Sequence, residues 1–268
     1  MTVMRVPGGA SLGAASWVVA RRGIHRTLRT PQIIMMGLVQ SVAFLLIFRY
    51  VFGGAIGTGR AGVSYVDYMI PGLLTVSGLF AGMSAAVAVA DDLASGYLDR
   101  LKSLPMPRLA VIAGQVVSDT VRVTLILAVS AALAFAVGFR VHAGWGSALA
   151  GFGLCVLFGF AFVWMFVAVG LLTANPQAAQ GAGFLALPLS FVSSAYVPVD
   201  TMPGWLRGFA ENQPVTVMMD AVRTLTQGDA AEALLGHGSG HYVARALAWT
   251  AAIITVSATI AVTRFNRT

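Results

Sequence analysis

Long apolar runs separated by short polar connections fill most of the 268 residues. The runs lie at residues 33–52, 69–90, 109–139, 148–173, 181–197 and 243–262. Each approaches or exceeds the roughly 20 residues a helix needs to cross a bilayer. They are continuous rather than alternating, which is the pattern of spanning helices and not of barrel strands. The chain therefore reads as an all-α integral membrane protein with six transmembrane helices and no separate soluble domain.

Two further segments have amphipathic patterns. In residues 12–29, Trp17, Ile24 and Leu28 share one face of a helix, while Arg21, Arg22, His25, Arg26 and Arg29 occupy the other. This predicts an N-terminal interfacial amphipathic helix in the headgroup layer, anchored by Trp17, Arg21, Arg22 and Arg26. Residues 198–242 open with Asp200-Thr201-Met202-Pro203-Gly204-Trp205, a cap residue followed by proline. Leu206, Phe209, Val215, Val217, Met218, Val222 and Leu225 then supply an apolar face. Short outer re-entrant-type helices before the sixth span are expected here, with Trp205 at the interface.

Composition sharpens this picture. Hydrophobic residues make up 57% of the chain and charged residues only 10%, against about 25% charged in a soluble domain. The net charge of +7 is read as topology, not as nucleic-acid binding, because cytoplasmic loops collect Arg and Lys. Basic residues cluster before the first span, in the 91–108 loop (Arg100, Lys102, Arg108) and in the tail (Arg264, Arg267). Both termini are thus expected in the cytoplasm. The N-terminal basic cluster follows the mildly apolar stretch 12–20, the reverse of a secretory signal. Cys155, the only cysteine, falls in a span and reads as a small buried apolar residue.

The candidate chemistry is sparse. Asp119 and Arg122 stand one turn apart in the third span, where ionisable groups are costly and usually paired. They read as a structural pair or as groups with a conformational or substrate role. In the fifth span Pro188 accompanies Ser190, Ser193, Ser194 and Tyr196. Those side chains either satisfy carbonyls freed by the proline or line a pathway. Gly78 and Gly82 form a GxxxG that suits packing against another helix, a second subunit included. His237 and His241 are separated by glycines and supply too few ligands for zinc, so no metal is assigned. No GxxxxGK[ST] occurs, and Lys102 is the only lysine. HExxH, GxSxG and multiple intramembrane acids are also missing from the sequence. The chain is not expected to be an enzyme, and energy for uphill transport would come from a partner.

Several motifs, in order, carry a resemblance. They are Tyr68-Met69-Ile70-Pro71-Gly72; Asp92-Leu93-Ala94-Ser95-Gly96 through Asp99-Arg100-Leu101 to Leu104-Pro105-Met106-Pro107-Arg108; Gly114 and Asp119; Val197-Pro198; Met202-Pro203-Gly204-Trp205; Asn212-Gln213-Pro214; and Arg223 to Gly228. Over nearly its whole length the chain resembles the ABC-2 type permeases, specifically the daunorubicin-resistance-like membrane subunits of bacterial ABC exporters. The resemblance implies one ABC-2 transmembrane domain over residues 1–268, with an interfacial helix at 12–29, a cytoplasmic coupling loop at 92–108 and extracytoplasmic short helices at 198–242. It implies a unit of two permease subunits, identical or paralogous, and two cytoplasmic ABC ATPase subunits. ATP and Mg would be bound by the ATPase, with no cofactor in this chain. Asp92, Gly96, Asp99, Arg100, Leu101, Leu104 and Pro105 would form the coupling segment. The expected function is ATP-driven export of an amphipathic drug-like metabolite, lipid or glycolipid across the bacterial inner membrane. A non-translocating structural subunit and a stand-alone secondary transporter are the alternatives.

Overall fold

The computed structural model describes residues 11–29, 31–47, 50, 64–102, 107–195 and 199–267. Among these residues the regular structure is helical throughout. In chain order the α-helices are α1 (Leu12–Arg29), α2 (Pro31–Leu46), α3 (Tyr65–Ala94), α4 (Tyr97–Lys102), α5 (Arg108–Ala136) and α6 (Trp145–Thr173). There follow α7 (Pro176–Gly183), α8 (Ala186–Phe191), α9 (Gly204–Asn212), α10 (Pro214–Gln227), α11 (Asp229–Leu235) and α12 (Ser239–Arg267). Four described stretches are long and apolar enough to cross a membrane: Tyr65–Ala94, Leu109–Ala136, Trp145–Thr173 and Ser239–Asn266. At 1.5 Å per residue, α3 is about 45 Å long and exceeds the roughly 30 Å hydrocarbon core. Its ends therefore reach both interfaces, which is where its acids Asp67, Asp91 and Asp92 stand.

α3 and α6 run together at the centre, with α5, α10 and α12 packed around them and α1 lying on α5. Met69, Ile70, Leu79, Phe158 and Phe162 are among the fully buried side chains of this core. Hydrophobic burial drives ordinary soluble folds, but a core surrounded by lipid depends more on close packing and internal hydrogen bonds. Many threonine hydroxyls accordingly return to the carbonyl one turn back, as Thr75 does to Pro71 and Thr250 to Ala246.

One expectation is corrected. The fifth apolar run is not one helix: α7 and α8 are divided at Phe184 and Leu185. Pro188 lacks an N–H and its ring crowds the carbonyl four residues back, that of Phe184, so the break falls where the proline places it. α10 is enclosed by other helices of the subunit. Val215, Val217, Met218, Met219 and Val222 are buried on several sides of it, between α3, α6 and α12. On α9, Trp205 is 82% exposed. Gly78 and Gly82 are buried inside the subunit, Gly78 against Leu127 and Gly82 against Phe166. The small-residue line seats α3 on its own neighbours within the subunit. The first apolar run is represented by α2, whose sixteen residues end before the run does.

Candidate functional site

The end of the bundle that carries α4 gathers most of the singled-out residues. α1 is seated there on α5 by close backbone approach. A side chain at Gly114 would come within 2.6 Å of Val19 and 2.7 Å of the Ser16 carbonyl, and one at Gly23 would collide with Ser118. Ala15 and Ala20 are buried in the same contact, while Trp17 is 61% exposed. Ser16, Val19, Ala20 and Gly23 therefore form the packing face of α1, and Trp17 points away from the protein. Arg21, Arg22 and Arg26 are exposed. Arg22 donates to the Tyr97 hydroxyl, and its guanidinium lies 4.8 Å from the centre of that ring. Cation–π contact and hydrogen bond together tie α1 to α4.

α4 follows α3 through a two-residue turn. Gly96 takes φ +67°, a left-handed conformation that side chains disfavour, with open space around it. Ser95 N–H returns to the Asp91 carbonyl, and Arg100 N–H to Gly96, so one helix closes and the next begins without slack. Leu98 is buried and Leu101 packs against the core. The apolar edge of α4, with Leu98 and the half-buried Leu101, packs toward the rest of the subunit. Arg100 is exposed on the other side. Asp99 belongs to α4, although its side chain, like Leu104 and Pro105, lies outside the described residues.

Beside α4 a cavity of about 790 Å³ opens between α1, α3, α5, α7 and α8. Its apolar wall includes Phe80, Met83, Val87, Phe184 and Leu187. Its polar wall holds Asp91, Asp92, Gln115, Asp119, Arg122 and Arg26. The volume lies in the range of sites for drug-sized molecules. Asp119 and Arg122 meet at 2.8 Å, both buried, and Gln115 donates to the other Asp119 oxygen at 2.9 Å. Arg122 also donates to the Ser84 hydroxyl and, at 3.3 Å, to the Ala81 carbonyl. The i, i+3 spacing thus gives a pair on one helix face that also ties α5 to α3. Asp92 lines this cavity and a smaller crevice shared with Tyr97, Leu98 and Leu101.

The serines of the fifth run are turned to structural use. Ser190 donates to the Leu187 carbonyl at 2.8 Å and Ser193 to that of Ser190. Both are buried, and each hydroxyl satisfies a backbone carbonyl. Ser194 donates to Asp220 at 2.9 Å. Tyr196 lies outside the described residues.

Ser194 belongs to a polar centre that reading the sequence missed. Arg223, 0% exposed, donates from Nε to the Tyr68 carbonyl at 3.0 Å, from one terminal nitrogen to Asp220 at 2.5 Å, and from the other to the Ser194 carbonyl at 3.0 Å. A second clamp adjoins it. Asp67 accepts the Arg140 N–H at 3.0 Å, Gln227 donates to the Arg140 carbonyl at 3.1 Å, and His142 meets Gln227 at 2.8 Å. The α3 start, the α5–α6 connection and α10 are thereby locked at the end opposite α4. Asp220 and Arg223 have the same spacing as Asp119 and Arg122, which is the signal available in the sequence. Among the described residues no group of three or more metal-binding side chains converges.

Comparison with known proteins agrees with this architecture. The ABC-2 type transporter family model matches residues 14–226. The chain is 29% identical over 207 residues to the daunorubicin resistance ABC transporter permease protein DrrB1 of Streptomyces coeruleorubidus, covering 77% of this chain and 71% of the relative. It is 26% identical over 237 residues to the probable doxorubicin resistance ABC transporter permease protein DrrC of Mycobacterium tuberculosis, covering 84% and 82%. With the doxorubicin resistance permease DrrB of the same organism it shares 28% identity over 273 residues, covering 95% and 90%. In this family ATP hydrolysis resides in a separate nucleotide-binding subunit. A multi-pass helical bundle with a short charged helix at one end, matched by this family model over most of its length, places the chain in the ABC-2 type transporter family as the membrane permease subunit of an ABC exporter.

Proposed function

We propose that this chain forms the translocation path of an ATP-driven exporter for amphipathic molecules of drug, lipid or glycolipid type. The observation that carries the reading is the large cavity beside α4, apolar on one wall and charged on the other. Such a wall pairing suits a molecule with an apolar body and a polar end. The names of the relatives point to anthracycline-like drugs as one such class. The α4 end faces the cytoplasm, as do both termini, supported by the arginines of α1 and the Arg100–Lys102 pair. The whole of residues 1–268 forms one transmembrane domain of six spans, with α2 and the broken α7–α8 segment as the first and fifth. Residues 12–29 form the interfacial helix, 92–108 the coupling loop and 198–242 the extracytoplasmic short helices. Two permease subunits and two ATPase subunits make the working unit.

In this mechanism the ATPase pushes on α4 from the cytoplasm. The contact is formed by the segment of Gly96, Asp99, Arg100, Leu101, Leu104 and Pro105, of which Arg100 is exposed. Asp92 joins that contact to the cavity through the last turn of α3. The Arg22–Tyr97 contact passes the movement to α1. The test is co-reconstitution with the partner ATPase in proteoliposomes. ATP-dependent uptake of doxorubicin into inside-out vesicles is expected, and its absence from a complex that hydrolyses ATP rules out this drug class.

A further inference from the structure

A crevice of about 270 Å³ lies against the apolar edge of α4, which meets it with Leu98 and Leu101. Val89 of α3, Val111 of α5 and Leu171 of α6 also line it. Among the described residues, α12 contributes one side chain, Phe265. That ring is 0% exposed, while Thr263, Arg264 and Asn266 beside it are exposed. The buried residues of α12 are Tyr242, Ala246, Thr250, Ser257, Ala261 and Phe265, which recur at helical spacing on one face. The four between the aromatics are small, which suits close packing of α12 on α6 and α10. The two large side chains stand at the ends of this seam. Tyr242 donates to the Leu235 carbonyl at 2.8 Å at one end. Phe265 lies at the seat of α4 at the other. A helix as short as α4 has little stability of its own, so its position follows from what it packs on. Interiors are otherwise filled to high density, and the open volume beside Leu98 and Leu101 leaves α4 room to move against its lining.

We propose that Phe265 is a positioning residue for α4, through which movement of that helix reaches the sixth span. The proposal rests on the exporter reading above and adds α12 to the path that starts at α4. Coupling over such distances is carried by packed side chains and rigid helices. Here α12 shifts with α4 as one rod, because Phe265 is its hold on the crevice. The rod also packs on α10, which carries Arg223. α12 thus joins the α4 end of the bundle to the polar centre at the opposite end.

The test uses the complex with a cysteine-free ATPase in lipid nanodiscs and reads α4 and α12 separately. Ser95→Cys and Thr263→Cys, each in a Cys155→Ala background and both at exposed positions, are labelled with bimane. Trapping the complex with ATP and vanadate should shift the bimane emission at both positions. Phe265→Ala should abolish the shift at 263 and leave that at 95. Phe265→Leu is a milder change that keeps the site apolar and the chain folded, and it should weaken the shift at 263. Phe158→Leu is the control. That ring is 1% exposed and the substitution is the same, but Phe158 lies outside the crevice. It should lower the thermal midpoint as Phe265→Leu does and leave both shifts intact, which a merely structural role for Phe265 would not predict. A shift at 263 that is absent with Phe265 in place, that survives both Phe265 variants undiminished, or that Phe158→Leu weakens equally overturns the proposal. ATP-driven export of doxorubicin measured in parallel separates the two readings. Export with a shift at 263 indifferent to Phe265 defeats this inference alone. A Phe265-dependent shift without export defeats the exporter reading alone.

Discussion

The guanidinium carbon of Arg223 lies 3.8 Å from the centre of the Tyr68 ring, and Arg223 Nε donates to the carbonyl of the same residue. One side chain of α10 thus holds the first turn of α3 by both its ring and its backbone. With Asp220 and Ser194 it joins three segments that are distant in sequence. This centre ties together the end of the bundle away from α4.

Removing Arg223 should be severely destabilising. Arg223→Met leaves Asp220 buried without its partner and should cost about 3–5 kcal/mol. The expected readout is a lower thermal midpoint in detergent and poor yield. The double variant Asp220→Leu/Arg223→Met should recover part of the loss, because no unpaired charge remains. A single variant as stable as wild type would show that the centre contributes little.

Coupling should depend on the shape of the α3–α4 turn. Gly96 has φ +67° and open surroundings. Gly96→Val therefore meets no collision but strains the backbone by about 1–2 kcal/mol. Expression and membrane insertion should survive, while transport and drug-stimulated ATP hydrolysis should fall severalfold. Arg100→Glu, on the exposed side of α4, should weaken co-purification of the ATPase without altering thermal stability. Wild-type transport in both variants would reduce α4 to a connector.

The α1–α4 tie gives a separate expectation. Tyr97→Ala removes both the hydroxyl acceptor and the ring under Arg22. Tyr97→Phe keeps the ring and loses only the hydroxyl. Transport should fall in the order wild type, Phe, Ala at equal expression. Equal rates in all three would show that α1 takes no part in coupling.

Orientation is directly accessible. Ser95→Cys and His237→Cys, each in a Cys155→Ala background, place an exposed thiol at opposite ends of the bundle. An impermeant thiol reagent added to intact cells should label the cysteine at 237 and spare that at 95. The reverse pattern would invert the proposed topology.

The sequence disclosed the long helices and the Asp119–Arg122 pair because both depend on local spacing. A run of apolar residues and an i, i+3 charge pair look the same before and after folding. It did not disclose the inward turn of Leu101, since a six-residue helix has apolar residues facing whichever neighbour is present. Gly78 and Gly82 announced close packing but not the partner, and the partner is this subunit's own Leu127 and Phe166. Arg223 misled most. Tertiary structure supplies it with the Tyr68 and Ser194 carbonyls, the Asp220 carboxylate and an aromatic face, most of which no local window contains. The break at Phe184 was nearly legible, because Pro188 names the carbonyl it displaces.

The central claim is that ATP hydrolysis by a partner drives an amphiphile through this permease. The direct measurement is the ATP hydrolysis rate of the purified complex in proteoliposomes, with and without doxorubicin, alongside ATP-dependent drug accumulation. The drug should raise hydrolysis, and accumulation should require ATP. Drug movement that follows an imposed proton gradient without ATP, or a permease that never associates with an ATPase, would contradict it.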